Sequence, residues 1–189
     1  MKKFELTSEF ITNVLGTKLF RIKALIEFGD VSAGELGGYI EKEENLAQDG
    51  DAWVCGDAKV YGNAKVCGNA KVCGDAEVCG NAWVYGNAKV YGNAKVYGNA
   101  KVCGDAWVCG DADYSTVKGF GRIFRTTTFF RKKDKDIGVS CGCFYGTLEE
   151  FRKKVKETHG ESKTAKEYLM LADLMEYKFS REMDEEVNQ

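Results

Sequence analysis

The chain has 189 residues, with 27 Lys and Arg against 29 Asp and Glu, and a net charge of −2. This balance excludes an overall charge that would draw the whole molecule to nucleic acid or to a membrane surface. Its 22 glycines occur without a single proline, which favours a regular architecture over a disordered linker. The opening stretch MKKFELTSEF has no apolar segment, so we expect no signal peptide, a cytoplasmic protein and eight reduced cysteines.

Residues 1–36 predict a short β segment ahead of the main body of the chain. Lys18–Leu25 alternates apolar and polar residues as a strand does, and Phe4–Leu6 can pair with it. Asp30–Gly38 is rich in turn-forming residues. We therefore expect residues 1–36 to form an N-terminal β cap on the structure that follows.

A six-residue unit, A-x-V-[C/Y]-G-[N/D], repeats ten times without interruption from Ala52 to Asp111. Ala and Val are two positions apart, so on a strand both point to one face, while the Lys, Trp or Glu between them points to the other. The Gly-Asn or Gly-Asp pair tolerates positive φ and lets the chain turn a corner. The valines are Val54, Val60, Val66, Val72, Val78, Val84, Val90, Val96, Val102 and Val108.

Short strands joined by corners build a three-sided β-helix with 18 residues in each coil. Coils that stack at about 4.8 Å bring residues 18 apart into columns. We expect the β-helix to span residues 37–113, with Ile40 and Leu46 in phase with Ala52. The predicted outward columns are Trp53, Lys71, Lys89 and Trp107; Lys59, Glu77, Lys95 and Asp113; and Lys65, Trp83 and Lys101. Periodicity alone does not determine the handedness of the coil.

Three tryptophans, Trp53, Trp83 and Trp107, occupy outward positions of the repeat. Exposed Trp is uncommon and favours interfaces, so these residues are interface candidates. The alternative is that the N-terminal cap or the C-terminal helices cover them. A third alternative is a homo-oligomer formed through the outward coil faces or the C-terminal helices.

Residues 114–189 have no repeat and predict an α+β module. Arg122–Arg131 and Ile137–Tyr145 are each predicted as a strand, joined by the charged turn Lys132–Asp136 into a hairpin. Thr147 and Glu150 form a capping-box signature that opens a helix ending near Gly160. A second helix is predicted from Ser162 to about Met183, followed by an acidic tail.

The first part of this module is strongly basic. Tyr114–Lys135 contains seven Lys and Arg and one acid, a net charge of 7 − 1 = +6, with four phenylalanines interleaved. Such a segment can contact a phosphate backbone or an acidic protein surface. The alternative is a solvated hairpin whose charges pair with the acidic tail. The predicted binding residues are Arg122, Arg125, Arg131, Lys132, Lys133 and Lys135.

The repeat resembles that of hexapeptide-repeat proteins, which form left-handed parallel β-helices, although right-handed β-helices also exist, notably in polymer-forming bactofilins. The whole layout is similar to an uncharacterised hexapeptide-repeat group encoded by bacteriophages and prophages. The stretches that carry this resemblance are LFRIKALIEFGD (19–30), LGGYIEKEENL (36–46), the VYGNAK units, RTTTFFRKK (125–133) and CGCFYGTLEEFRKKVKETHG (141–160). The resemblance implies a phage context and no particular activity.

Many left-handed β-helix proteins are acyltransferases that use a His between coils as general base. This chain has one His, His159, which is predicted at a helix end outside the coils. The zinc carbonic anhydrases on this fold need three His. Cys141 and Cys143 could form half of a metal site, but a shared position on one strand face makes them more typical packing residues. We therefore predict no enzyme, no metal and no cofactor.

The sequence thus favours a mainly β protein that works by binding. We expect a non-enzymatic phage accessory protein whose rigid β-helix presents the basic C-terminal module to a host protein or protein–nucleic-acid complex. Inhibition of a host defence complex, as anti-CRISPR proteins achieve, is one concrete form of this hypothesis. The alternatives are a structural, polymer-forming β-helix protein and a degenerate hexapeptide acyltransferase. No membrane partner is expected.

Overall fold

The computed structural model describes residues 2–180, which form two compact units that divide between Asp111 and Ala112. In the first unit, strands β1 (Phe4–Thr12), β2 (Lys18–Ala24) and β3 (Leu36–Ile40) precede ten two-residue strands. These strands, β4–β13, are Trp53–Val54, Lys59–Val60, Lys65–Val66, Lys71–Val72, Glu77–Val78, Trp83–Val84, Lys89–Val90, Lys95–Val96, Lys101–Val102 and Trp107–Val108. Each holds one outward residue and the Val of its repeat.

The two-residue strands stack in parallel, each beside the strand one coil further along the chain. Trp53 lies beside Lys71, which is 18 residues away. The stacks β4-β7-β10-β13, β5-β8-β11 and β6-β9-β12 form the three faces of a β-helix of about four turns. This confirms the predicted fold class and the outward columns as far as β13. Asp113, predicted to end one column, instead lies in a 3₁₀ turn at Asp111–Asp113.

The interior of the coil is filled by the Ala and Val of every repeat, all of which are buried. The first coil departs from the strict period, because Ile40 pairs with Val60 and Leu46 bridges to Val66. Both residues therefore take the Val position and not the Ala position that phase with Ala52 predicted. A 3₁₀ turn at Glu43–Asn45 lies in this coil.

The corner glycines of the coil adopt left-handed backbone conformations and stack on one another. Gly80 has φ +70°, and a methyl group there would lie 3.0 Å from the nitrogen of Gly98. Gly98 itself has φ +69°, but a methyl group there would meet nothing within 4 Å. Gly80 and Gly98 therefore have the same backbone conformation, but only at Gly80 would a Cβ contact the backbone of the next stacked glycine.

This pair gives a prediction about how the coil is stabilised. Gly98→Ala should lower the free energy of unfolding by about 1 kcal/mol, because a Cβ is disfavoured at positive φ. Gly80→Ala should lower it by about 1 kcal/mol more, because the stacked Gly98 backbone must also shift. Denaturant unfolding of both variants checks this, and equal losses would mean that the stacked backbone contact contributes nothing.

The N-terminal strands extend one face of the β-helix and cover its first coil. β1 and β2 pair antiparallel, β2 pairs antiparallel with β3, and β3 pairs in parallel with β5. The side chain of Lys3 is buried at this end of the coil. Its Nζ donates hydrogen bonds to the carbonyl oxygens of Ala52 at 2.9 Å and Gly50 at 3.2 Å, and lies 4.8 Å from the ring centroid of Phe28. Burial lowers the pKa of Lys3 to about 8.

The lowered pKa of Lys3 gives the first unit a defined pH dependence. Between pH 8 and the ordinary lysine pKa of 10.5, the unfolded chain holds this proton and the folded chain releases it. The unfolded state then binds more protons, so stability should rise with pH across this window. Between pH 7.5 and 10 we expect the wild type to gain about 2 kcal/mol relative to Lys3→Met. Lys2→Met, which removes an exposed ammonium, serves as the control and should follow the wild type.

Cys55 and Cys73, which are neighbours in one column of the coil, form a disulfide. Stacking brings their Cα atoms to 4.6 Å, within the range of about 4.4–6.8 Å that disulfides span. The expectation of eight reduced cysteines is therefore wrong for this pair. The other six cysteines form no disulfide within residues 2–180.

The second unit is a four-stranded antiparallel sheet with two helices. Its strands are β14 (Tyr114–Val117), β15 (Thr127–Arg131), β16 (Ile137–Cys141) and β17 (Phe144–Thr147), paired in chain order. Its helices are α1 (Leu148–His159) and α2 (Lys163–Ser180). One core joins sheet and helices and includes Phe129, Val139, Phe151, Val155, Ala172 and Met175.

This arrangement confirms the helices and the hairpin, in which β15 and β16 are joined by the turn Lys132–Asp136, and corrects the bounds of the predicted strands. Thr147 caps α1, and its hydroxyl accepts a hydrogen bond from the Glu150 amide, as the capping box predicted. The predicted strand Arg122–Arg131 begins only at Thr127. The predicted strand Ile137–Tyr145 is two strands, because Gly142 turns the chain at φ +63°. The predicted end of α2 near Met183 and the acidic tail lie outside the described residues. No helix within residues 2–180 combines the length and apolar character needed to cross a membrane.

Candidate functional site

A partly open cavity of about 350 Å³ lies in the second unit, between the residue 118–126 loop, the β16–β17 turn and the two helices. We call it the basic cavity, because three cationic side chains line it and no carboxylate from the described part of the chain does. Its lining residues are Arg122, Ile123, Arg125, Cys141, Cys143, Phe144, Phe151, Lys154, Val155, Thr158, His159 and Tyr168. A volume of this size lies at the lower end of small-molecule sites, which span about 300–1,000 Å³.

The residue 118–126 loop carries two of the cations and is tied to α2. The Gly121 amide donates a hydrogen bond to Glu167 Oε2 at 3.2 Å, and the Tyr168 hydroxyl donates to the Phe120 carbonyl at 3.4 Å. A methyl group on Gly121 would lie 2.1 Å from the Tyr168 hydroxyl oxygen, so glycine permits this close approach. Arg122 and Arg125 follow these two hydrogen-bonded loop residues in the chain, precede β15 and line the cavity.

The same loop exposes apolar side chains beside the cavity. Ile123 is 60% exposed and Phe124 is 65% exposed. Phe124 has φ 49°, a left-handed conformation that is rare for a bulky residue. Strained backbone and exposed large apolar residues in one loop are typical of segments that contact a ligand or partner.

The β16–β17 turn positions Arg125. A methyl group built on Gly142 would lie 1.7 Å from Nη1 of Arg125, so the guanidinium rests against the turn where glycine leaves room. Cys141, at the end of β16, is buried, and its sulfur lies 3.2 Å from the hydroxyl of Thr127. Gly142 therefore serves two purposes: it reverses the chain and it admits the Arg125 side chain.

Aromatic rings form the floor of the cavity. The centroids of Phe144 and Phe151 are 5.5 Å apart, and those of Phe151 and Tyr168 are 5.8 Å apart. The ring of His159 stacks on Tyr168 at 6.0 Å. Burial, with Cys141 as a further contributor, raises the pKa of Tyr168 to about 12, so its hydroxyl is a neutral donor at physiological pH.

The six predicted basic residues do not form one surface. Arg122 and Arg125 line the basic cavity, whereas the other four lie at and after the end of β15. Arg131 donates hydrogen bonds to Asp113 Oδ1 at 3.2 Å and to the Phe179 carbonyl at 3.1 Å. Both acceptors belong to the second unit, so Arg131 stabilises the fold of that unit. Lys132 pairs with Asp134 at 3.2 Å. Lys133 and Lys135 are exposed in the turn between β15 and β16.

The three tryptophans occupy different environments. Trp53 is only 2% exposed and packs edge-on against Phe28 of the N-terminal segment, so it contributes to the interior of the first unit. Trp107 is half-buried. Trp83 is 43% exposed, between Lys65 and Lys101, whose ammonium groups lie 5.8 and 5.7 Å from its ring centroid.

Sequence reasoning did not find the basic cavity. It assigned Cys141 and Cys143 to one strand face, but the turn at Gly142 leaves Cys141 buried and Cys143 exposed. It predicted His159 at a helix end outside the coils, where the residue lies, but did not predict that His159 lines a cavity. In the part of the chain that the structure describes, no group of three or more His, Cys, Asp or Glu side chains is placed to hold a metal ion.

The chain is similar to a known protein over part of its length. No model of a protein family matches the chain. A stretch of 61 residues is 41% identical to the protein described as uncharacterized acetyltransferase YdcK of Escherichia coli K12. The match covers 29% of this chain and 19% of that protein, so the chain spans about a fifth of the length of the relative.

This similarity contradicts the prediction that the protein is not an enzyme, which we correct here. The prediction rested on the absence of His from the ten repeat units. That absence argues only against the mechanism in which a His between coils acts as general base. The relative is described as an acetyltransferase, and the similarity to it covers 61 residues. The β-helix itself and its resemblance to hexapeptide-repeat proteins are supported by the parallel coils.

Proposed function

We propose that the second unit binds a phosphate-bearing partner at the basic cavity. The observation that carries the proposal is the cluster of Arg122, Arg125 and Lys154 around one opening that, among residues 2–180, no carboxylate lines. A guanidinium group can donate two parallel hydrogen bonds to two oxygens of one phosphate, and a Lys ammonium adds a compact positive charge. Each charge-assisted hydrogen bond contributes about 1.5–3 kcal/mol, so three such cations supply enough free energy for measurable binding.

The form of partner that we favour is a nucleic acid, alone or within a protein complex of a bacterial host. The exposed Ile123 and Phe124 beside the cations supply apolar surface for bases or for a protein component. The resemblance to phage-encoded hexapeptide-repeat proteins supports an accessory role during infection. Inhibition of a host defence complex by occupying its nucleic acid is the concrete form of this role.

The salt dependence of binding tests the proposal. If the three cations neutralise one to three phosphates, the logarithm of the affinity should fall with the logarithm of salt concentration. The slope should lie between about −0.9 and −2.7 for a labelled duplex and between about −0.7 and −2 for a single strand. Fluorescence anisotropy with short labelled oligonucleotides between about 50 and 200 mM salt measures it. Absence of binding at the lowest salt concentration, or binding that salt does not weaken, would contradict the proposal.

The second candidate function is acetyl transfer, which the similarity to the described acetyltransferase favours. In this reaction the acetyl group leaves the sulfur of coenzyme A for an amine or hydroxyl, which loses a proton, and coenzyme A leaves as a thiol. A thiol-reactive dye would report the release of coenzyme A from acetyl-coenzyme A with a panel of amine and hydroxyl acceptors. Release above the protein-free rate supports this function, and none with any acceptor of the panel argues against it.

A further inference from the structure

We infer that the basic cavity receives one nucleotide unit, with its phosphate at the cationic rim and its base against the aromatic floor. The inference rests on the proposed function, because it uses the same three cations, and it adds the identity of the group that enters. That group can be a free mononucleotide or the terminal nucleotide of a strand. Both sources offer the same chemistry, a phosphate joined to a planar aromatic base.

The size of the cavity limits what can enter. At about 350 Å³ it lies near the lower end of the range of about 300–1,000 Å³ for small-molecule sites. A ligand of mononucleotide size fits this volume. A dinucleotide or a complete coenzyme A would have to extend beyond the opening.

The charges of the cavity favour a dianion. Arg122, Arg125 and Lys154 are permanent cations at neutral pH, and His159 adds a ring nitrogen that can donate a hydrogen bond. Within residues 2–180 no carboxylate lines the cavity, and Glu157, which lies 3.8 Å from the Lys154 ammonium, is outside the lining. The Arg125 guanidinium packs against the backbone of Gly142, so part of its conformational freedom is already lost before a ligand binds.

The floor of the cavity favours a flat apolar group over a flexible one. Phe144 is half-buried, and the rings of Tyr168 and His159 stack at an interplanar angle of 30°. Nucleobases stack on aromatic rings and on guanidinium planes, with a gain of about 1–3 kcal/mol per base. A phosphate with no base would make only the rim contacts and should bind more weakly.

The polar groups of the cavity predict weak discrimination among bases. The neutral donors and acceptors in the lining are chiefly Thr158, His159, the two thiols and the Tyr168 hydroxyl, which already donates to the Phe120 carbonyl. Reading a base edge requires a matched set of donors and acceptors. The four ribonucleoside monophosphates should therefore bind within about 10-fold of each other.

The single histidine provides a direct measurement. His159 is the one His of the chain and lines the cavity, so in an untagged protein its imidazole protons give a single set of NMR signals. Adding AMP should shift these signals in a saturable way. Adenosine and inorganic phosphate should each bind at least about 10-fold more weakly than AMP, because each lacks one half of the recognised group.

A substitution of Lys154 tests whether the phosphate binds at the cationic rim of the cavity. Lys154 lies at the rim of the cavity with 61% of its side chain exposed, and its pair with Glu157 at 3.8 Å is exposed too, so Lys154→Glu should fold normally. It should weaken AMP binding at least 10-fold, by the loss of one charged contact and the gain of a repulsive one. Lys133→Glu, an equal change of charge in the exposed β15–β16 turn, is the matched control and should bind AMP within about 3-fold of the wild type.

The outcomes separate this inference from the proposed function. AMP binding that a 5′-phosphorylated oligonucleotide displaces supports both, with a strand end as one source. AMP binding without oligonucleotide binding supports a free nucleotide and overturns the proposed nucleic-acid partner. If an oligonucleotide binds, but AMP neither displaces it nor shifts the His159 signals, the nucleotide site is overturned and the proposed function stands. No response of His159 to either ligand overturns both.

Discussion

Val66→Asp is expected to unfold the first unit at ambient temperature or to lower its stability by more than about 4 kcal/mol. Val66 is 1% exposed and lies in the interior of the coil, paired with Val84 on one side and bridged to Leu46 on the other. A carboxylate there would be surrounded by the Ala and Val side chains that fill the coil. Because every coil supports its neighbours, the disruption should spread along the stack.

The neighbouring residue supplies the control for this prediction. Lys65 points outward from the same strand, so Lys65→Asp introduces the same side chain one residue away on the solvent face. It should change the stability by less than about 1 kcal/mol, because its contribution is limited to an exposed contact near Trp83. Circular dichroism during thermal unfolding measures both variants. Similar melting temperatures would show that the assignment of inward and outward faces is wrong.

Arg122→Glu/Arg125→Glu is expected to lower the affinity for an oligonucleotide at least 100-fold. Each reversal removes a charge-assisted hydrogen bond worth about 1.5–3 kcal/mol and places a carboxylate where phosphate would lie. The two residues lie in a loop outside the regular strands, and the core beneath them is formed by other side chains. The unit should therefore remain folded. Anisotropy titration at constant low salt compares the variant with the wild type.

The matched control for this variant also distinguishes two parts of the basic segment. Lys133→Glu/Lys135→Glu reverses two charges in the exposed turn between β15 and β16 and should change the affinity by less than about 5-fold. Arg131 is unsuitable as a test position, because its pairs with Asp113 and Phe179 belong to the fold. A larger loss from the turn variant than from the loop variant would place the binding surface at the hairpin turn and contradict the role of the cavity.

The repeat made most of the first unit predictable from sequence. Ala and Val alternate with outward residues at a strict period, and the corner Gly can adopt positive φ, so each local preference supports the same coil. The columns followed from counting 18 residues. The disulfide between Cys55 and Cys73 lay in one of those columns, but the expected reducing compartment led to the opposite conclusion.

The basic cavity was less predictable because distant segments build it. Arg125, Lys154 and Tyr168 come from a loop and two helices, and no local pattern relates their positions. The available signal was the pair Gly121 and Gly142, at each of which a side chain approaches the backbone. Gly142 interrupts the predicted strand Ile137–Tyr145, and Gly121 directly precedes the predicted strand Arg122–Arg131. The buried Lys3 was missed for a similar reason, since the carbonyl oxygens that accept its hydrogen bonds lie almost 50 residues along the chain.

The NMR signals of His159 during titration with a 5′-phosphorylated oligonucleotide test the central claim most directly. If the basic cavity is the binding site, the imidazole signals should shift in a saturable way, and added salt should reverse the shift. The Arg122→Glu/Arg125→Glu variant should show neither effect. Saturable binding by anisotropy with unchanged His159 signals would place the partner elsewhere on the protein and contradict the account.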